Sequence, residues 1–173
     1  MDVPSKTANL DIRHNYDGHP CSHRKGHNVY GMQMVRATYE GVKKHSFPRR
    51  PFVITRAAYA GTQRYASTWT GDNVATWEHL FIANAQVQRM CMSGYSFVGS
   101  DIGGFAEQPS GELFLRWIQM AVFHPFCRVH SSGDHGDQEP WSFGDDILAH
   151  VREFINLRYE LLPYLYTAFY KYS

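Results

Sequence analysis

One aspartate, Asp72, lies in a polar and aromatic segment whose residue types suit the cleavage of a glycosidic bond. The segment 64–73 reads RYASTWTGDN and places Asp72 between Gly71 and Asn73, shortly after Trp69. Glycoside hydrolysis needs one carboxylic acid that protonates the leaving oxygen and a second carboxylate across the anomeric carbon. Asp72 is a candidate for the first group. The competing interpretation is that Asp72 caps the following helix, although Asn73 is the more economical cap if Asp72 is catalytic.

Further ionisable side chains stand where predicted strands end. They are Arg56, Asp101, Arg128 and His130, which end or follow the apolar runs 52–55, 95–99 and 126–129. In barrels of parallel strands, functional side chains lie at the carboxyl ends of the strands and in the loops that follow. The pattern therefore favours a shared functional rim. The alternative is that these residues form ordinary ion pairs between loops.

Hydrophobic periodicity, Gly and Pro predict the elements that must position these residues. Helices are predicted over 29–42, 75–92 and 112–123 and from 145 onward, with strands at 52–55, 95–99 and 126–129 and a further candidate strand at 27–30. Gly94 is expected to end the second helix, and Ser110 to open the third. Pro163 falls inside the pattern of the last helix, so we expect it to kink or divide that helix.

Strands that alternate with helices indicate an α/β fold built from parallel βα units. A complete (β/α)8 barrel typically needs about 250 residues, whereas this chain has 173. The sequence therefore predicts roughly half of a barrel. We expect residues 1–173 to form one partial barrel domain in which residues 1–26, polar and without a sustained period, are mostly loop.

Composition and charge exclude several classes of function. The formal net charge is +1, which offers no electrostatic basis for binding nucleic acid or an anionic membrane. The apolar run 113–126 is interrupted by Arg116 and Gln119, so it is predicted to be a buried helix that does not span a membrane. Three widely spaced cysteines predict free thiols, since they match neither a disulfide framework nor a zinc motif.

A histidine-rich segment near the N-terminus raises the question of metal binding. His19, His23 and His27 recur every four residues, and on a helix they would share one face. Pro20 lies within the run and glycines flank it, so a helix is not expected there. Packing or hydrogen bonding is therefore favoured over a metal site.

Several runs of the chain occur together in an order and spacing typical of one enzyme family. The runs are RPFVITRAAYAG, RYASTWTGDN, ATWEHL, FVGSDIGGF, HPFCRVH and LRYELLPYLYT. They resemble glycoside hydrolase family 31, the retaining α-glucosidases and α-xylosidases, over nearly all of the chain from His27 onward. The resemblance implies that the chain is the C-terminal half of the catalytic (β/α)8 TIM barrel, about strands five to eight.

The same resemblance implies a role for each candidate residue. Asp72 corresponds to the general acid/base, while Arg56 and His130 correspond to residues that bind hydroxyls of the sugar being cleaved. The other implied substrate-binding residues are Trp69, Asp101, Phe105 and Arg128, with Asp101 and Arg128 forming a supporting ion pair. These roles agree with chemistry, because guanidinium and imidazole groups give directional hydrogen bonds and aromatic rings give an apolar wall.

The family's nucleophile, an aspartate in an Asp-Met-Asn-Glu motif after the fourth strand, has no counterpart in this sequence. We therefore expect a fragment of a retaining exo-acting α-glycosidase, most simply an α-glucosidase, that begins after that motif and is inactive alone. Xyloside, galactoside and sulfoquinovoside substrates stay open. The alternative is a non-catalytic carbohydrate-binding or structural fragment.

The resemblance also defines the expected partners. The substrate would be an oligosaccharide or α-glucoside, with no metal, no organic cofactor, no nucleic acid and no membrane involved. Half of a barrel has two open sheet edges, whose unpaired backbone groups favour pairing with another chain. We therefore expect the isolated chain to self-associate through these edges.

Overall fold

The chain divides into two compact units, with the boundary between Ala66 and Ser67. The computed structural model describes residues 8–172. In the first unit, strands β1 (Arg13–His14) and β2 (Cys21–Ser22) pair in antiparallel fashion. Helix α1 (His23–His45) follows directly, and a short 3-10 helix spans Thr62–Arg64.

Helix α1 begins earlier than the periodicity predicts and includes segment 27–30, so the candidate strand there is wrong. The first helical backbone N–H groups have no partner in a preceding turn and must bond elsewhere. Here the N–H of His23 donates to the Ile12 carbonyl at 2.8 Å, and that of Arg24 donates to the Leu10 carbonyl at 3.1 Å. The preceding segment thus satisfies the helix start, which no local periodicity could reveal.

The predicted strand 52–55 is also wrong, because only one residue of this run makes an isolated β-bridge. Phe52 is 57% exposed. Pro51 has no N–H to contribute to a ladder. At the other end, the Thr55 hydroxyl accepts a hydrogen bond from the Ala57 N–H at 3.1 Å, which turns the chain locally.

The second unit contains the parallel strands. Strand β3 (Thr68–Trp69) pairs with β4 (Val98–Gly99), and β5 (Asp101–Ile102) pairs with β6 (Arg128–Val129), both in parallel. Only Ser100 separates β4 from β5, so three neighbouring segments follow one another in chain order. The predicted strands at 95–99 and 126–129 are confirmed in shortened form, whereas β3 was not predicted because two residues carry no period.

Helices connect these strands, as expected for βα units. They are α2 (Trp77–Met92), α3 (Gly111–Ala121) and α4 (Asp145–Tyr172), with a 3-10 helix at Pro140–Phe143. Ser110 caps α3 as predicted, since its hydroxyl accepts from the Leu113 N–H at 3.2 Å. Pro163 does not divide α4, and its carbonyl accepts a hydrogen bond from the Thr167 hydroxyl at 2.8 Å.

Helix α2 begins at Trp77, and its cap is Thr76. The Thr76 side chain accepts a hydrogen bond from the His79 N–H at 3.2 Å, which satisfies one of the open donors of the first turn. The interpretation of Asp72 or Asn73 as the helix cap is therefore wrong.

The core of the second unit fixes the strands that carry the candidate site. Helix α3 packs against both β5 and α4, and its side chains Phe114 and Trp117 are fully buried beside Ile102. The indole N–H of Trp117 donates to the Ser100 hydroxyl at 3.0 Å, so both buried polar groups are satisfied. This bond anchors the residue immediately before Asp101.

The C-terminal end of α3 is held by Arg158 of α4. Its guanidinium donates to the carbonyls of Val122 and His124, each at 2.8 Å, and to that of Pro125 at 3.0 Å. These carbonyls follow the last helical residue, Ala121, and a side chain supplies their donors here. The clamp orients the chain just before it enters β6.

Candidate active site

The loops that follow the parallel strands are joined to one another by backbone hydrogen bonds. The Asn73 carbonyl, after β3, accepts from the N–H groups of Phe105 and Ala106 at 2.6 and 3.1 Å. The Phe105 carbonyl, after β5, accepts in turn from the N–H of Ser132, after β6, at 2.9 Å. These bonds make one continuous strip at the carboxyl ends of the strands, which we call the rim.

Asp72 lies on this rim, and its neighbour Asn73 points into the protein. Asn73 is 5% exposed, and its side-chain oxygen accepts a hydrogen bond from the Thr70 hydroxyl at 2.6 Å. Gly71 has φ +92°, a left-handed conformation that glycine adopts without strain. The turn thus buries the amide of Asn73 and leaves Asp72 exposed.

The expected ion pair between Asp101 and Arg128 forms across the paired strands β5 and β6. Asp101 is 0% exposed. Burial raises its pKa, and the hydrogen bond and positive charge of Arg128 oppose that rise. Weaker electrostatic effects come from His130, which lowers this pKa, and from Asp72, which raises it. The second oxygen of Asp101 has no hydrogen-bond partner in the described part of the chain.

Arg128 connects this ion pair to the aromatic floor of the site. Its guanidinium carbon lies 5.3 Å from the ring centre of Trp69 and 5.3 Å from that of Phe126. A guanidinium over an aromatic face is attracted by the ring quadrupole. Asp101 and Trp69 therefore both restrain Arg128, one through charge and the other through its ring.

A second aromatic contact lies at the edge of the rim. The rings of Phe105 and His130 have centres 5.4 Å apart and planes tilted by 36°. His130 is exposed, while Phe105 is half-buried. The arrangement places an apolar surface beside an imidazole that can donate or accept a hydrogen bond.

The second unit thus brings together six of the residues singled out from the sequence. They are Trp69, Asp72, Asp101, Phe105, Arg128 and His130. Arg56 lies in the first unit and is exposed, and its role stays a prediction. Sequence reasoning missed Gln138, whose amide donates to the Gly104 carbonyl at 3.2 Å. No signal marked it, since a polar loop residue carries no period.

The histidine-rich segment contains a hydrogen-bonded pair. His23 Nδ1 lies 2.8 Å from His14 Nε2, and His27 packs edge-on against His23 at 5.3 Å between ring centres. His23 and His27 do lie on a helix, contrary to expectation, because α1 starts after Pro20. Residues 8–172 contain no group of three or more His, Cys, Asp or Glu side chains suited to a metal ion.

Two further expectations concern thiols and membranes. Cys21, Cys91 and Cys127 are all free, as predicted. Burial raises the pKa of the Cys127 thiol, with Arg158 opposing that rise, so the thiol is a poor nucleophile. Within the described range, every helix is too short or too polar to cross a bilayer.

The family resemblance is borne out by direct comparison. The family model described as "Glycosyl hydrolases family 31 TIM-barrel domain" matches residues 1–168. The chain belongs to glycoside hydrolase family 31. Its parallel strands and helices thus belong to a family 31 TIM-barrel domain.

Curated relatives and solved structures agree with this assignment. Alpha-glucosidase 2 of Bacillus thermoamyloliquefaciens is 46% identical over 165 residues, 95% of this chain. Glucosidase 2 subunit alpha of Saccharomyces cerevisiae is 45% identical over 176 residues, 100% of this chain. The crystal structure of a family 31 α-glucosidase from Bacteroides thetaiotaomicron superposes with a TM-score of 0.79 at 41% identity, over 86% of this chain and 25% of that one.

This family 31 chain is much shorter than those relatives. It spans 21% of the Bacillus protein and 18% of the yeast protein. A crystal structure of an ER glucosidase II heterodimeric complex is matched with a TM-score of 0.83 at 40% identity, over 87% of this chain and 17% of that one. The similarity therefore concerns one part of each larger enzyme.

Proposed function

We propose that this chain supplies the acid/base side of the active site of a retaining, exo-acting α-glycosidase that cleaves terminal α-glucosidic bonds. One observation carries the proposal: Asp72 is exposed on a rim that it shares with the Asp101–Arg128 ion pair and the Phe105–His130 contact. Two relatives support the choice of substrate: one is named Alpha-glucosidase 2 and is 46% identical, and the other is named Glucosidase 2 subunit alpha and is 45% identical.

The reaction is a double displacement. A carboxylate that we place outside this chain attacks the anomeric carbon, while Asp72 protonates the departing oxygen. Asp72, now ionised, then removes a proton from the water that releases the sugar. The product keeps the α configuration because two inversions occur.

The remaining residues hold the sugar in place. Trp69 and Phe105 form apolar surfaces against the ring, and His130 and Arg56 donate hydrogen bonds to its hydroxyls. The ion pair of Asp101 and Arg128 keeps the floor of the site rigid. The reaction needs no metal and no organic cofactor in this scheme.

We further propose that this chain is a partial barrel domain corresponding to strands five to eight. Of the segment 1–26, which was expected to be mostly loop, residues 1–7 lie outside the described range, and residues 8–26 include β1, β2 and the start of α1 at His23. Parallel segments that neighbour each other in chain order, with helices between them, support the partial barrel. The isolated chain should then self-associate through its open sheet edges. Exposed aromatic residues on α4, including Tyr159 and Tyr170, add to that tendency. Sedimentation of a stable monomer at micromolar concentration would contradict self-association.

The test of function uses the complete protein encoded by the gene, with aryl α-glucosides and maltose-type disaccharides as substrates. Asp72→Ala should retain far more activity toward aryl glucosides with acidic phenols than toward disaccharides, since a good leaving group needs little protonation. Azide should accelerate the variant and yield the α-glucosyl azide, because it attacks the β-glycosyl enzyme without needing a base. Asp146→Ala, at an exposed position in the first turn of α4, serves as the matched control.

Two outcomes would contradict the proposal. If Asp72→Ala loses activity equally on all leaving groups and azide has no effect, Asp72 is not the acid/base. If the complete wild-type protein binds oligosaccharides without turnover, the alternative of a non-catalytic carbohydrate-binding or structural chain is correct. The 173-residue chain alone should show no turnover in either case.

A further inference from the structure

Gln138 is a buried polar residue in the loop between β6 and α4 that the proposed mechanism does not use. Its side chain is 4% exposed. Its amide nitrogen donates to the Gly104 carbonyl at 3.2 Å, across to the loop between β5 and α3. The orientation of the amide follows from chemistry, because only its N–H side can face a carbonyl oxygen.

The segment that Gln138 holds is a turn that several bonds to its surroundings keep in shape. The Gly104 N–H donates to the Asp101 carbonyl at 3.1 Å, and the Phe105 N–H donates to the Asn73 carbonyl at 2.6 Å, while Gln138 binds the Gly104 carbonyl. Gly103 and Gly104 both have positive φ angles, +87° and +93°, so this turn is irregular. A Cβ on Gly103 would lie 2.9 Å from the Gln138 side-chain oxygen, and one on Gly104 would lie 2.6 Å from the Ala75 backbone. The turn is therefore closely packed, and its conformation depends on contacts with neighbouring loops.

The next residue along the chain, Phe105, belongs to the candidate site. Its backbone accepts a hydrogen bond from Ser132 at 2.9 Å, and its ring contacts His130. The carbonyl bound by Gln138 immediately precedes Phe105. A shift of that peptide would move Phe105 relative to His130, and with it the apolar wall beside the imidazole.

We propose that Gln138 is a positioning residue that fixes Phe105 against His130 by binding the Gly104 carbonyl, an inference that rests on the proposed function. Gln138 does not touch the sugar. It acts through the loop between β5 and α3, and it matters because its bond is buried. Water cannot replace a buried donor, so losing it leaves the Gly104 carbonyl without a partner.

The chain offers a matched control in Gln108. Its amide nitrogen donates to the Asp137 carbonyl at 3.0 Å and so joins the same two loops, but Gln108 is exposed. Water can replace that bond. Gln138→Met and Gln108→Met each remove one amide donor while keeping a similar side-chain length, and they differ in burial.

The first measurement needs no activity. In the complete protein, hydrogen–deuterium exchange of peptides covering 103–108 and 131–139 should accelerate in Gln138→Met and stay unchanged in Gln108→Met. Unchanged exchange in Gln138→Met, or equal acceleration in both variants, would overturn the proposal. This result is independent of whether the protein is a glycosidase, so it separates failure of the inference from failure of the proposed function.

The second measurement tests whether the effect passes through His130. Gln138→Met should lower kcat/KM for an aryl α-glucoside about tenfold, the size expected for one lost buried hydrogen bond, with little change for Gln108→Met. In a His130→Ala background, the same substitution should have a much smaller effect, because the contact it positions is already gone. If the losses in kcat/KM from Gln138→Met and His130→Ala are fully additive, Gln138 has a general structural role and the proposal is refuted.

Gln138→Glu keeps the shape of the side chain and provides a further test if Gln138→Met does not fold. A protonated glutamic acid can donate to the Gly104 carbonyl as the amide does, whereas the ionised form would be repelled by it. The activity of Gln138→Glu relative to wild type should therefore fall as pH rises. A ratio that does not change with pH would show that donation to Gly104 is not what matters.

Discussion

His124 is buried in a place that does not suit a charged imidazole. It is 6% exposed, and neither ring nitrogen has a hydrogen-bond partner in the described part of the chain. Burial, together with the smaller effect of the positive charge of Arg158, lowers its pKa from 6.5 to about 4. Arg158 is held close because it donates to the carbonyl of His124 itself.

The sign of the effect on stability follows from proton uptake. Between pH 6.5 and about 4 the unfolded chain binds a proton at His124 and the folded chain does not. Stability is therefore unaffected by this group above pH 6.5 and falls as pH decreases through that window. The difference between the pKa of His124 in the unfolded and folded states corresponds to about 3 kcal/mol in the free energy of unfolding. About 2 kcal/mol of this should be lost by pH 5.

The perturbation is His124→Leu, which keeps a similar volume and breaks no side-chain hydrogen bond. The free energy of unfolding is measured by urea unfolding of the complete protein, followed by tryptophan fluorescence. Between pH 7.5 and pH 5 this free energy should fall by about 2 kcal/mol more in wild type than in His124→Leu. Comparing the two proteins cancels the other titrating groups. His150→Leu, at an exposed position on α4, should behave like wild type.

Two results would refute this reasoning. If wild type and His124→Leu lose the same free energy of unfolding on acidification, His124 is not titrating differently in the two states. A pKa near 6.5 for His124 in the folded protein, measured by NMR titration, would show that it is hydrated or paired. In that case its burial would not carry the predicted penalty.

Three further changes should have distinct effects. Gly99→Ala should prevent correct folding, since the new Cβ would lie 1.9 Å from the Phe126 carbonyl oxygen, and a native-like melting transition would contradict this. Arg158→Met should destabilise by about 2–4 kcal/mol by leaving the carbonyls after α3 without donors, whereas the exposed control Arg152→Met should change the melting curve little. Arg56→Lys should lower kcat/KM clearly for an intact glucoside and less for one lacking the contacted hydroxyl, because lysine loses the planar fork; equal losses would assign Arg56 to the scaffold.

Several properties could be predicted from the sequence because they depend on local patterns. Helices α2, α3 and α4 carry apolar faces over many residues, so hydrophobic periodicity predicts them. Ser110 indicates the start of α3. The family could be identified because its motifs combine residue type with spacing, as in the run that contains Asp72. The pairing of Asp101 with Arg128 followed from that resemblance.

Other features depended on residues distant in sequence. Helix α1 starts at His23 because carbonyls from residues 10 and 12 satisfy its first turn. Strand β3 exists because β4 lies beside it, and a two-residue strand has no period of its own. Segment 52–55 has the composition of a strand but does not become one, since Pro51 removes a donor and Thr55 turns the chain.

The rim itself was decided by tertiary structure. Backbone groups of Asn73, Phe105 and Ser132 join three loops, and backbone bonds carry no side-chain signature in a sequence. No sequence signal marked Gln138 or His124, because both residues are important only through their burial. An amide or an imidazole in water is already hydrogen-bonded, and only removal from water makes its partner, or the lack of one, matter.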